Sequence, residues 1–154
     1  MNALQESRGL VVVDADDYGI PDELISSLVA LSLPFINKKH LTYPHFIRPK
    51  PSDLYTEIGK NIARLLGLKA ESGDGYLLEY YKGESLRVHR DYSMDGGYKV
   101  GLRLKGSGLW VLGGDERILA EPGKLIIQDM GKAVEHAVPE VTEYTLTAVW
   151  NFNL

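Results

Sequence analysis

The hydrophobic pattern of this chain changes period near Gly75, and that change limits the folds open to it. From there onward, short apolar runs alternate with glycine-bearing turns: GYLLEYYKG, LRVHRDY, DGGYKVGLRLKGSG, LWVLGGDERILAEPGK, LIIQDMGK and YTLTAVWNFNL. Such spacing predicts about eight strands of a sandwich or barrel. Before Gly75 the pattern is mixed. Val11-Val12-Val13 reads as a short strand, at an edge or buried. Pro21-Asp22-Glu23 opens a helix, because proline suits the first turn and acidic residues favour the helix N-terminus. Leu24, Leu28 and Leu31 follow at helical spacing, and Pro34 stops it. A second helix is expected to start near Pro51-Ser52-Asp53, to carry Leu54, Ile58, Ile62 and Leu65 on one face, and to end at Gly67. The expected class is therefore mainly β (α+β). Residues 1–154 form one domain, with 1–70 as helical support and 75–154 as the β-core on which the two N-terminal helices pack.

Bulk properties exclude several functions. The formal charge of −4 gives no global attraction to phosphate backbones or anionic membranes. With no cysteine there is no disulfide, zinc-thiolate site, Fe–S cluster or thiol nucleophile. The start, MNALQESRGLVVVDADDYG, lacks the basic and long apolar regions of a signal peptide, and no apolar run approaches the roughly 20 residues of a membrane span. The expectation is a cytoplasmic protein without a membrane partner. The sequence gives no oligomeric state.

His89-Arg90-Asp91 and the distant His136 carry the chemistry. On a strand, residues i and i+2 share a face, so His89 and Asp91 can point to one metal. His136, after the turn Asp129-Met130-Gly131-Lys132, lies in another strand-like run that a two-sheet barrel can place opposite the first. Two imidazoles and one carboxylate on one octahedral face leave positions open, as in non-haem Fe(II) oxygenases. Alone, H-x-D is a weak pattern, more often met as a strand-end histidine beside a solvated aspartate. Its context is more specific: Tyr80-Tyr81-Lys82-Gly83 precedes it, and Pro122-Gly123-Lys124-Leu125-Ile126-Ile127 precedes the distal histidine.

On these residues, Tyr76 to Leu154 resembles the double-stranded β-helix (jelly-roll, cupin-like) core of the 2-oxoglutarate/Fe(II)-dependent dioxygenases. The Tyr-x-x-Gly then H-x-D phrase is similar to the prolyl-hydroxylase branch. Gly101-Leu102-Arg103-Leu104, the Gly113-Gly114-Asp115 turn and the run through Gln128-Asp129 to Glu135-His136 look more like aspartyl/asparaginyl β-hydroxylases, many of which lack the acidic ligand that Asp91 provides here. The resemblance implies that His89, Asp91 and His136 hold Fe(II), that 2-oxoglutarate and O2 are cosubstrates, and that hydroxylation is coupled to decarboxylation of 2-oxoglutarate to succinate and CO2.

The chain departs from the family pattern at one place. An arginine is expected roughly ten residues beyond the distal histidine, to bind the far carboxylate of 2-oxoglutarate. The region instead reads Val141-Thr142-Glu143-Tyr144-Thr145-Leu146-Thr147, and no arginine or lysine follows Lys132. A buried carboxylate needs a cation or several donors. Lys99, Gly101, Arg103 and Lys105 alternate against Val100, Leu102 and Leu104 on the strand after H-x-D. Arg103 is the first candidate and Lys99 the second, with Thr145 or Thr147 adding a hydroxyl; the bland reading of Arg103 is a solvated cation on an edge strand.

Tyr76, Tyr80, Tyr81, Tyr92 and Tyr98 surround the site in sequence. Tyrosines such as Tyr80 could hydrogen-bond the cosubstrate, although aromatics also fill sheet cores. Trp110, Trp150 and Phe152 read as core. Arg87, on the same face as His89, could meet a substrate carboxylate or pair with a surface acid. The basic, aromatic loop Asn37–Lys50 is a candidate substrate lid, and Tyr43 and Tyr92 are substrate candidates; His40 and His45 in that loop are unconvincing ligands. Asp14, Asp16 and Asp17 lack the glycine and glutamate of an EF-hand. The reading is a small dioxygenase acting on an amino-acid or peptidyl side chain, with a small molecule or peptide as partner. Two alternatives stand: a nucleobase- or nucleotide-modifying dioxygenase, with nucleic acid disfavoured by the charge, and a cupin-like metal-binding module without oxygenase activity.

Overall fold

The computed structural model describes residues 8–36, 46–47, 53–68, 73–91, 96–113 and 115–152. The described elements are β1 (Leu10–Asp14), a 3-10 turn (Ala15–Tyr18), α1 (Asp22–Ser32), β2 (Phe46–Ile47), α2 (Asp53–Leu65), β3 (Gly73–Tyr80), β4 (Leu86–Arg90), β5 (Tyr98–Lys105), β6 (Gly108–Leu112), β7 (Glu116–Ala120), β8 (Lys124–Asp129), β9 (Glu135–Val138) and β10 (Thr145–Phe152). Of the eight strands from β3 to β10, seven coincide with the apolar runs after Gly75, and β9 is the strand-like segment around His136. All described pairings are antiparallel. They form a six-stranded sheet, ordered β1-β8-β5-β10-β3-β2, and a four-stranded sheet, ordered β4-β9-β6-β7. From β3 to β10 the chain switches sheets at each step except the β6–β7 hairpin, which is the jelly-roll arrangement of a double-stranded β-helix.

Strict alternation divides the six-stranded sheet into two faces. Leu77, Val100, Leu102, Leu104, Leu125, Ile127, Leu146, Ala148 and Trp150 turn to the helices and form the larger core with Leu28, Ile58 and Ile62. The other face of this sheet looks toward the four-stranded sheet across a smaller core that contains Tyr80, Trp110, Leu112 and Ile126. Trp150 anchors α2: its ring stacks on Tyr55 with centroids 5.0 Å apart, and its Nε1–H donates to the Tyr55 carbonyl at 3.0 Å. Gly59 lets the helix approach this indole, since a Cβ there would overlap Trp150 Cδ1.

That contact corrects the expected helix faces. Leu54 and Leu65 are exposed, and the buried stripe of α2 runs instead through Tyr55, Ile58, Gly59, Ile62 and Ala63. The helix is rotated so that its small residues meet the Trp150 ring. In α1, Leu31 is likewise exposed; the inward row is Leu24, Leu28 and Ser32, whose hydroxyl donates to the Leu28 carbonyl at 2.6 Å. The Asn37–Lys50 segment is not wholly loop, because Phe46–Ile47 pairs with Leu78 and Leu77 as strand β2. Tyr43, His40 and His45 of that segment lie outside the described residues, as does Tyr92.

Candidate metal centre

The sharp connection from β3 to β4 fixes the first half of the site. Gly83 adopts φ +91°, open to glycine at little cost. Its N–H donates to the Val141 carbonyl at 2.8 Å, and the Val141 N–H returns a bond to the Glu84 carbonyl at 2.8 Å. The second half follows the turn at Asp129, whose carboxylate accepts from the Gly131 N–H at 2.9 Å. Strands β4 and β9 then pair with His89 directly opposite His136, the two rings 4.3 Å apart. Asp91 lies just beyond the end of β4.

One donor atom from each of His89, Asp91 and His136 lies within 4.8 Å of the others. His89 Nε2 is 3.5 Å from Asp91 Oδ1, and His136 Nε2 is 3.4 Å from Asp91 Oδ2. Each imidazole is oriented the same way. His89 Nδ1 lies 2.8 Å from the Arg87 carbonyl, and His136 Nδ1 lies 2.9 Å from the Val134 carbonyl. A carbonyl can only accept, so Nδ1 carries the proton and the lone pair falls on Nε2. Both Nε2 atoms thus face carboxylate oxygens, an arrangement that calls for a cation between them. Ligands adjacent on a metal, each about 2.1 Å from it, are about 3 Å apart, close to these separations. His136 is 2% exposed and packs beside Trp110, while His89 and Asp91 face the cavity mouth.

The triad opens into a cavity of about 380 Å³, a size suited to a small ligand. Its walls alternate as the sequence pattern requires: Tyr76, Leu78 and Tyr80 from β3, Lys99 and Gly101 from β5, Ile126 and Gln128 from β8, and Thr147 and Val149 from β10. Trp110 and Leu86 line the opposite side, and exposed Arg87 lies at the rim. Of the tyrosines near the site in sequence, Tyr76 and Tyr80 line the cavity. Burial raises the Tyr80 phenol well above its ordinary value, reinforced by Tyr76. Tyr81 points elsewhere, its ring 5.5 Å from that of Tyr144, and Tyr98 packs on the helix-facing core.

Lys99 Nζ donates to Asp91 Oδ2 at 2.8 Å. Burial would raise the Asp91 carboxyl, but His136 and Lys99 outweigh it and hold it well below the usual carboxylate range. Burial would lower the Lys99 ammonium, but Tyr76 and Asp91 hold it above its ordinary value.

Arg103 is not a solvated edge cation: it is 5% exposed, on a strand with neighbours on both sides. Its Nε donates to Thr147 Oγ1 at 2.9 Å, and Nη1 donates to the Gly106 and Ala120 carbonyls at 3.1 Å each. Among the described residues no carboxylate pairs with it. Burial pushes the guanidinium down to about 10, so it stays cationic at neutral pH. Thr145 does not line the cavity; its Cγ2 and Arg103 Nη1 both approach Gly108, so the guanidinium lies where a longer residue at Thr145 would compete for space.

Two cavity residues have no role in the sequence reading. Trp110 is in the core as expected and also lines the cavity, as does Gln128. The side-chain donors Trp110 Nε1 and Gln128 Nε2 are buried without an acceptor among the described residues. Gln128 carried a signal, a polar residue on the inward alternation of LIIQD. Trp110 carried none, since an inward indole on a strand looks the same whether it fills a core or a cavity wall.

No protein-family model matches the chain, and no curated protein matches it. Solved structures do. An oxidoreductase of the 2OG-Fe(II) oxygenase family from Burkholderia pseudomallei superposes with a TM-score of 0.74 at 16% identity, covering 99% of this chain and 87% of that one. A prolyl-4-hydroxylase from Pseudomonas putida gives 0.68 at 17% identity, over 99% and 95%. A prolyl hydroxylase from Trichoplax adhaerens, solved with a hypoxia inducible factor peptide fragment, gives 0.62 at 11% identity, over 99% and 86%. The chain has the fold of the 2-oxoglutarate/Fe(II) oxygenases, and no described helix is long and apolar enough to cross a membrane.

Proposed function

We propose that this chain is an Fe(II)/2-oxoglutarate-dependent dioxygenase that hydroxylates an amino-acid or peptidyl side chain. The observation that carries the reading is the matched orientation of the two histidines, whose Nδ1–carbonyl bonds aim both Nε2 lone pairs at the Asp91 carboxylate. A site with two neutral imidazoles and one carboxylate on one side suits Fe(II) with open positions. Bound there with 2-oxoglutarate, the metal supplies O2 activation coupled to release of succinate and CO2.

The chain's own residues have separate tasks. His89, Asp91 and His136 hold the metal. Arg103 does not line the cavity itself but stands behind Thr147, which does, and a buried cation bonded only to neutral acceptors is a receptor for an anion. That suits the far carboxylate of the cosubstrate. Lys99 is already engaged by Asp91 and serves as its counter-ion. Gly101, between Lys99 and Arg103 on the same face of β5, keeps the intervening space clear; a Cβ there would lie 3.0 Å from Thr147 Cγ2. Tyr80, on β3 of the same sheet, lines the cavity wall, and Arg87 at the rim is available to the substrate. A prolyl hydroxylase solved with a peptide fragment shares the fold, which supports a peptidyl or amino-acid substrate.

Anaerobic titration with Fe(II) and then 2-oxoglutarate tests this. A visible charge-transfer band, lost in His89→Ala and His136→Ala, and succinate formed in air are expected. Metal binding with neither band nor succinate would identify a metal-binding module without oxygenase activity and reject the proposal.

A further inference from the structure

The cavity holds two donors that the proposed cosubstrate and metal roles leave unused. Gln128 on β8 and Trp110 on β6 line the same cavity, and their side-chain donors Nε2 and Nε1 are buried with no acceptor among the described residues. They come from different sheets, so a ligand between the sheets can accept from both. Gln128 pairs across the ladder with Lys99, which places it at the metal end of the cavity rather than at the Arg103 end. Trp110 lies beside the metal-ligand candidate His136, with ring centroids 5.5 Å apart.

Buried amide and indole N–H groups are ordinarily paired, and one left unpaired in a complex weakens binding. A ligand that closed this cavity with a purely hydrocarbon ring would leave both donors desolvated and unpaired. A side chain ending in a carboxylate or carboxamide would satisfy them. Lys99 is engaged by Asp91, the one lining carboxylate, which leaves the lining cation Arg87 without a lining counter-charge and favours an anion.

Resting on the dioxygenase reading, we infer that Trp110 and Gln128 are substrate-specificity residues, and that the substrate inserts an acceptor-bearing acidic or amide group rather than a prolyl ring. The group undergoing hydroxylation then carries its carboxylate or carboxamide between β6 and β8.

The test has three arms. In the ligand-free protein, Gln128→Met removes an unpaired donor at nearly constant shape, so the melting temperature rises by about 2–4 °C. A fall of that size makes Gln128 structural and overturns the inference. In the Mn(II)-loaded protein, the Gln128→Met variant keeps its 2-oxoglutarate affinity within about 3-fold by calorimetry. A loss of about 10-fold or more assigns the donor to the cosubstrate and overturns the substrate assignment. In the presence of Mn(II) and 2-oxoglutarate, N-acetylated amides of aspartate, asparagine and proline serve as probes. The aspartate or asparagine probe is expected to bind at least about 10-fold tighter than the proline probe, and to lose about 10-fold in both Gln128→Met and Trp110→Phe. Binding that favours proline, unchanged affinity in the variants, or no probe binding overturns the inference. A wild-type protein that fails to bind 2-oxoglutarate rejects the dioxygenase reading itself, a separate result visible before any variant is made.

Discussion

Lys99 and Asp91 form a 2.8 Å ion pair inside the cavity, on the same carboxylate oxygen that approaches His136 Nε2 at 3.4 Å. A metal ion and the ammonium therefore draw on one carboxylate. Removing the competing charge in Lys99→Met should tighten Mn(II) binding, by about 3–10-fold given the modest worth of a partly exposed pair. Calorimetric titration reads this directly. Weaker binding would mean that Lys99 instead holds the carboxylate in position.

Loss of a metal ligand should act on binding before it acts on folding. His136→Ala and Asp91→Ala are each expected to lower Mn(II) affinity at least about 100-fold, since one of three donors is removed. Stabilisation of the wild type by Mn(II), followed by thermal melting with and without chelator, should vanish in both variants. A persistent stabilisation would place the metal elsewhere.

Arg103→Met separates the anion pocket from the metal. The buried guanidinium has neutral partners only, so its loss should cost an anionic ligand about 10–100-fold in affinity. Mn(II) affinity should stay within about 3-fold. Equal 2-oxoglutarate binding by wild type and variant would remove Arg103 from the site.

Sequence periodicity reached the sheets but not the helix faces. The strands after Gly75 are legible because short apolar runs are bounded by glycine-bearing turns, and along β5 polar and apolar residues alternate. The H-x-D spacing placed two ligands on one face, and the ladder brings His136 opposite the first. Leu54 and Leu65 misled because α2 is positioned by the Trp150 ring against Gly59, a shape constraint that a hydrophobicity pattern does not carry. Trp110 is illegible as a site residue for a related reason: only the space between the sheets tells a wall from a core.

The Gly59–Trp150 contact gives a stability prediction with two opposed effects. Alanine is the better helix former by about 1 kcal/mol, but a methyl here overlaps the indole, and overpacking costs about 1–3 kcal/mol. Gly59→Ala should therefore be neutral to destabilising by about 2 kcal/mol in chemical denaturation. A clear gain in stability would show that the indole can move aside.

Tyr55 should make the fold sensitive to alkali. Burial raises its phenol well above the ordinary value, with Tyr76 adding to the effect against a backbone hydrogen bond that opposes it. A group with a raised folded pKa contributes stability that is complete below its unfolded value, about 10, and is lost as pH rises beyond it. The loss amounts to about 1.4 kcal/mol per pH unit for such a group. Tyr55→Phe should be less stable at pH 8, because the 3.0 Å bond to the Tyr76 carbonyl is gone, yet should decline less steeply above pH 10. Parallel alkaline limbs for the two proteins would refute this assignment.

The ladder that sets Thr147 opposite Arg103 has a wider meaning. Neighbouring strands in register present equivalent positions to the same space, so a charge can be delivered sideways across the sheet instead of along the chain. The anion-binding role proposed for Arg103 would be filled in this way, from a strand more than forty positions away from Thr147. Spacing alone would score such a protein as defective, whereas adjacency in the sheet scores it as complete.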